Sequence, residues 1–265
     1  MNIFFRELKA HWKGLLGWSI AMILLVASGM AKFSALGTGG QNANLVFASF
    51  PKPVLAILGV QGLNLSTVIG YFGVLYLYIQ LTATIHAAML GAEIISKEER
   101  DKTSEFLFPK PVSRLRIITE KILAGLVNII VLNIVTVASS IIIVAAFANN
   151  FLNNDMIIIM MTGLFIMQLL FFALGVALAG YFKNPKLPSI VATTILLGTY
   201  IIWVVIDLNS KLDFLKYFTP FKYFDASVLI HDGRLDFVYV ILSLVIISGL
   251  MLSAFLAFNK RDLKV

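Results

Sequence analysis

Residues 122–148 read ILAGLVNIIVLNIVTVASSIIIVAAFA, 27 positions without an Asp, Glu, Lys or Arg. About 20 consecutive apolar residues suffice for a helix to cross a hydrocarbon core of about 30 Å, and lipid obliges the backbone to satisfy its own hydrogen bonds. The stretch is therefore a membrane span. The whole chain agrees, with 59% hydrophobic residues, 13% charged and a mean hydropathy of +0.92, outside the range of soluble domains. Uninterrupted runs of this length, rather than alternating segments of about ten residues, exclude a barrel. The fold class expected is an all-α integral membrane protein.

Working outward, the same test places six spans at about 14–31, 67–92, 122–148, 156–182, 187–206 and 237–258, within a single transmembrane domain covering 1–265. Lys13 and Lys32 can snorkel from the ends of the first. The uncharged run that contains the second is too long for one helix and begins with Pro53, Gly59 and a Gln61-Gly62-Leu63-Asn64 cluster, so its first part is read as outer loop. An Asn-rich hairpin, with Asn149, Asn150, Asn153 and Asn154, joins the third and fourth spans. With the N-terminus inside, 15 of the 21 Lys and Arg fall on the cytoplasmic side, which favours an N-in, C-in topology. The net charge of +7 then reflects topology and anionic lipid, with no nucleic acid implied.

The lead to the first span, about 2–13, is amphipathic. Phe5, Leu8, Trp12, Leu15 and Leu16 recur at helical spacing, and Arg6, Glu7, Lys9 and Lys13 lie mostly elsewhere. An interfacial helix that anchors the first span is expected, with a lever beside a cytoplasmic partner as the sharper reading. A cleaved signal peptide is disfavoured, because the lead is long and five more spans follow. Cysteine is absent, which removes disulfides, thiol nucleophiles and Cys-ligated metals. Of His11, His86 and His231, only His86 lies in a span, where packing is favoured over a proton relay because no span carries a carboxylate.

Small residues at four-residue spacing, Gly175 with Ala179 and Ala173 with Ala177, fit either a dimer seam or packing within the chain. Gln80, Asn128, Asn133 and Gln168 can line a path or bond neighbouring helices, the latter being the commoner role. Between the last two spans, Phe214, Tyr217, Phe218, Phe221, Tyr223 and Phe224 alternate with Lys216 and Lys222. This pattern suggests one or two short helices dipping into the outer leaflet with their aromatics in the interfacial belt.

Just before the opening stretch, residues 91–121 read GAEIISKEERDKTSEFLFPKPVSRLRIITEK, and 93–121 alone holds 13 charged residues. Thr103 can cap a short helix that carries Glu105 in its first turn, continues with Phe106, Leu107 and Phe108, and stops at Pro109 and Pro111. Ser113 can cap the next helix, with Arg114, Arg116 and Lys121 at the level of the lipid headgroups. A solvated, positive-inside loop would account for Lys97, Arg100 and Lys102 but not for three consecutive apolar residues that need a cover. An intramembrane protease with a Glu-Glu-x-x-x-Arg motif fails at Thr103, where Arg is required. No phosphate-binding Gly-x-x-x-x-Gly-Lys-Ser/Thr loop is present, so ATP-driven action through that route needs a second protein.

The order Glu98-Glu99, Thr103-x-Glu105, Phe106-Leu107-Phe108-Pro109, Pro111-x-Ser113-Arg114 and Lys121 resembles the hallmark of the type 2 exporter permeases of ATP-binding-cassette (ABC) transporters. One departure is Lys102, where that family usually has Gly. The six spans, the amphipathic lead, the long first outer loop, Thr219-Pro220-Phe221 and the tail Phe258-Asn259-Lys260-Arg261-Asp262-Leu263 are similar to it as well. The resemblance implies a non-catalytic permease whose coupling helix lies between spans two and three. Glu98, Glu99, Thr103, Glu105, Phe106, Leu107, Phe108, Pro109, Ser113 and Arg114 would then contact a cytosolic ATPase subunit. It further implies a second permease copy or a paralogue, ATP and magnesium held by the ATPase rather than by this chain, and a bacterial plasma membrane. The alternative is a non-transporting scaffold or sensor that uses the same dock.

Overall fold

The computed structural model describes residues 3–35, 47, 49–100, 113–147 and 154–260. Six helices within them are long and apolar enough to cross a membrane. They are α1 (Ile3–Ala35), α3 (Val68–Arg100), α4 (Arg114–Phe147), α5 (Asn154–Tyr181), α6 (Leu187–Leu208) and α9 (Phe237–Lys260). A short α2 (Lys52–Ile57) lies in the first outer loop. Between α6 and α9 the chain forms a 3-10 helix (Ser210–Phe218), α7 (Pro220–Tyr223) and α8 (Ala226–Asp232).

Local chemistry explains where these elements begin and end. The Thr67 hydroxyl accepts a hydrogen bond from Gly70 N at 3.0 Å and caps α3, next to the residue where the apolar reading places the start of the second span. Ser113 Oγ accepts from Arg116 N at 3.4 Å and opens α4, as its position in the sequence predicts. Asp225 Oδ1 accepts from Ser227 N at 2.9 Å to start α8, which stops at Gly233 with φ of 66°, a conformation that favours glycine.

The bundle is layered around α3 and α5. Their most apolar windows are 56% and 61% buried within the chain, against 11% for α9, which lies at the periphery. α5 is apolar on every face, the pattern of a helix surrounded by other helices. The small residues at the crossing of α3 and α5 explain the close approach. A Cβ on Gly175 would sit 2.3 Å from the Ala88 carbonyl oxygen, and one on Gly91 would sit 2.3 Å from the Phe172 carbonyl oxygen. Ala173, Ala177 and Ala179 are buried on the same helix. The small-residue spacing on α5 therefore serves packing within the chain.

The amides of the spans also bond helices together. Asn133 donates to Gln168 Oε1 at 2.9 Å across α4 and α5, and Gln80 donates to Met167 Sδ at 2.9 Å across α3 and α5. Asn128 turns back to the Ala124 carbonyl of its own helix. His86 is buried against the Trp18 ring, with centroids 5.1 Å apart.

Three expectations from the sequence need correction. The lead and the first span are one continuous helix, α1, with no break that would lay the lead flat. Its apolar residues divide instead: Leu8 packs among buried side chains of the neighbouring helices and Leu15 is buried, whereas Phe5, Trp12 and Leu16 are exposed. The second span extends well beyond its apolar run, as α3 to Arg100, whereas α4 starts at Arg114 where Ser113 predicts it. In the outer hairpin, Phe221, Tyr223 and Phe224 fill the core and only Phe214, Tyr217 and Phe218 are exposed, so the aromatics do not form a single interfacial belt. The Asn hairpin lies outside the described residues apart from Asn154, which opens α5.

At one end of the bundle Phe4 and Leu8 of α1 pack against a cluster that includes Ile94, Ile118 and Phe258. This is the inner end by the distribution of Lys and Arg. Replacing Gly175 with Ala should lower thermal stability by about 1–3 kcal/mol, since the clash is with backbone that cannot step aside. Gly198→Ala, where a Cβ meets nothing within 4 Å, should be neutral or stabilising by up to about 1 kcal/mol. Thermal unfolding of the two purified variants tests the contrast.

Candidate functional site

Glu98 and Glu99 lie in the last turn of α3, and Ser113 and Arg114 open α4. Thr103, Glu105, Phe106, Leu107, Phe108 and Pro109 lie outside the described residues. The sequence pattern therefore falls at the tip of a helical pair, and each helix extends about 12 Å past its apolar run at 1.5 Å per residue.

At these helix ends Glu98, Glu99, Arg114 and Arg116 have the sign that the helix dipole disfavours, whereas Lys97 and Arg100 have the sign that it favours. α3 closes on Glu98-Glu99-Arg100, while α4 begins with Arg114 and Arg116 and has no acid in its first turn. A charge of the unfavoured sign at a helix terminus costs a few tenths of a kcal/mol to about 1 kcal/mol. Arg116 recovers part of this through Glu120, 2.9 Å away one turn on.

Below the tip, a set of buried charges binds α1 to both arms of the pair. Glu7 of α1 is 1% exposed, and its carboxylate lies 2.9 Å from the Arg6 guanidinium, 3.7 Å from Lys97 Nζ on α3 and 3.8 Å from His11 Nε2. Lys121 of α4 is 2% exposed and donates from Nζ to the Ile94 carbonyl of α3 at 2.7 Å. It exerts a favourable electrostatic pull on Glu7 as well. Phe4 N at the start of α1 donates to Glu120 Oε2 of α4 at 3.3 Å.

Lys121 is thus a correction to the sequence reading, which placed it among the headgroups. Burial between α3 and α4 makes it a cross-link inside the protein. Sequence reasoning also missed Glu7 as a junction. Its signal was present, since it is the lone acid in a lead that carries Arg6, Lys9 and Lys13.

The chemistry available here is mechanical. Among the described residues no group of three His, Asp or Glu is placed to hold a metal. What the arrangement can do is carry displacement, because the Glu7–Lys97 ion pair joins α1 to α3, and hydrogen bonds of Lys121 and Glu120 tie α4 to α3 and α1 just beneath the tip. Removing one member of a buried ion pair typically costs about 3–5 kcal/mol. Glu7→Gln should lower thermal stability by roughly 3 kcal/mol, and Glu7→Leu combined with Lys121→Met should recover much of the loss. Unfolding curves in lipid nanodiscs measure both.

A search of curated proteins returns no match. Residues 1–263 match the sequence family described as ABC-2 family transporter protein. The match spans all six helices and the charged tip, and the family's membrane domain pairs with ATP-binding subunits and is itself normally non-catalytic. With six apolar helices around a charged inner tip, this multi-pass membrane chain belongs to the ABC-2 transporter family and fits the permease subunit of an ABC transporter.

Proposed function

We propose that this chain is the membrane-spanning subunit of an ABC exporter. It forms the translocation path with a second copy or a paralogue in a bacterial plasma membrane, surrounded by lipid. The cargo is an amphipathic or apolar molecule, since the spans offer amides and hydrocarbon but no acidic pair or basic lining. ATP and magnesium belong to the cytosolic ATPase subunits, and their dimerisation supplies the motion.

The observation that carries this reading is the pair α3 and α4. Each runs unbroken from the charged tip through the bundle, with the coupling pattern of 98–114 between them. In that pattern Phe106, Leu107 and Phe108 fill a groove on the ATPase. Glu98, Glu99 and Glu105 pair with basic residues at its rim, and Ser113 fixes the start of α4 so that force on the turn becomes tilt of a span. The tie between Glu7 and Lys97, together with Lys121, carries the same motion to α1.

The test is co-purification with an ATPase subunit and ATP hydrolysis in proteoliposomes. Reversing Glu98, Glu99 and Glu105 to Lys with Phe106→Ser should weaken association by about 30-fold or more, the loss of one well-packed anchor. Hydrolysis should lose its dependence on the permease while the unfolding temperature stays the same. Unchanged association would sink the docking assignment. Intact docking and hydrolysis with no cargo movement would favour the scaffold or sensor instead.

A further inference from the structure

The opposite end of the bundle holds a second set of buried charges, built from α6, α7 and α8. Asp225 Oδ1 accepts from Ser227 N and Oγ at 2.9 and 2.7 Å, and its Oδ2 accepts from Trp203 Nε1 at 2.8 Å. Lys222 Nζ lies 3.2 Å from that same Oδ2 and 2.7 Å from Asp207 Oδ1. Side-chain exposure is 20% for Lys222, 12% for Asp207 and 6% for Asp225. Burial disfavours the Lys222 ammonium, but the two carboxylates outweigh it and hold its pKa above the ordinary lysine value. Two carboxylates therefore share one ammonium.

Beside this triad is a small cavity walled by Tyr76 and Gln80 of α3, Trp203, Phe221, Asp225 and Gly59. Tyr76 is wholly buried, and its hydroxyl has no hydrogen-bond partner among the described residues although it lies within electrostatic range of Asp225. Gln80 spends its amide nitrogen on Met167 Sδ, which leaves its carbonyl oxygen as an acceptor. A buried hydroxyl without a partner, next to unbalanced negative charge and between aromatic walls, has the chemistry of a cation site.

We propose that this cavity binds one compact monovalent cationic group, with Asp225 as counter-charge, Tyr76 Oη and Gln80 Oε1 as oxygen ligands, and Trp203 and Phe221 as walls. The group is an alkali ion or the ammonium end of an amphipathic molecule. On binding, Lys222 gives up its longer contact with Asp225 and keeps the shorter one with Asp207. Two carboxylates then face two cations. None of the residues lining the cavity belongs to the 98–114 pattern, so its occupancy is tested without an ATPase subunit.

Thermal unfolding of the purified full chain in zwitterionic nanodiscs tests this, starting in N-methylglucamine chloride and replacing it with sodium, potassium or methylammonium chloride at constant ionic strength. A bound cation stabilises the folded state in a saturable way, so at least one of the three should raise the unfolding temperature to a plateau. Response to sodium or potassium identifies an ion site, and response to methylammonium alone identifies an ammonium site. Tyr76→Phe should shift the midpoint at least tenfold upward. Lys222→Met, which removes the internal competitor, should shift it downward. Asp225→Asn should abolish the response, and Tyr76→Phe and Lys222→Met decide the matter if that variant does not fold. The proposal is overturned if no salt exceeds N-methylglucamine, or if Tyr76→Phe changes the unfolding temperature equally in every salt, which marks a hydroxyl satisfied by water.

Discussion

Direct backbone contact between α3 and α5 is the constraint on which the rest depends. Gly91 and Gly175 allow each helix to bring a carbonyl against the other, and no side chain fits between them. In lipid there is no hydrophobic force between helices, so such close approach, with its many small dispersion contacts, has to supply the cohesion. Once α3 is held there, its 33 residues fix both ends of the bundle, because a helix of that length spans about 50 Å as a stiff rod. Its inner end carries Lys97 and the acidic pair, and its outer half carries Tyr76 and Gln80.

The two ends have opposite electrostatic character. At the inner end one buried carboxylate, Glu7, faces Arg6, Lys97 and the pull of Lys121. At the outer end two carboxylates share Lys222. Each cluster joins elements that are distant in sequence: α1 to α3 and α4 at one end, and α6 to the hairpin at the other. Between them the cross-helix polar contacts are made by neutral amides, Asn133 to Gln168 and Gln80 to Met167 Sδ, which bond helices without the desolvation cost of charge. Motion imposed at the tip therefore meets ionic joints at the ends and close packing in the middle. That division suits helices that tilt as rigid bodies.

Much of this was legible in the residues. Uncharged runs predicted six spans, Ser113 marked the start of α4 through its hydroxyl, and the order of residues in 98–114 pointed to the transporter family. The end of α3 was not legible, because hydropathy reports where a helix leaves lipid and not where it stops. Lys97 and Glu98 continue a helix as readily as leucine does when water or a partner can solvate them. Lys121 was misjudged for a related reason, since a basic residue near the start of a span belongs at the headgroups unless a neighbouring helix offers it an acceptor.

The sequence by itself determined the class, the number of spans, the sidedness implied by Lys and Arg, and the family. These follow from short-range facts: the length of apolar runs, the side on which cations remain, and a local motif. Only the tertiary structure decided that Glu7 is a buried junction, that the small residues of α5 pack within the chain, Gly175 against α3 and Gly180 against α9, and that Phe221, Tyr223 and Phe224 are core rather than belt. It alone set Tyr76 beside Asp225, some 150 residues away in a chain of 265. Each of these depends on which helix lies next to which, a property of packing that no single helix carries in its own residues.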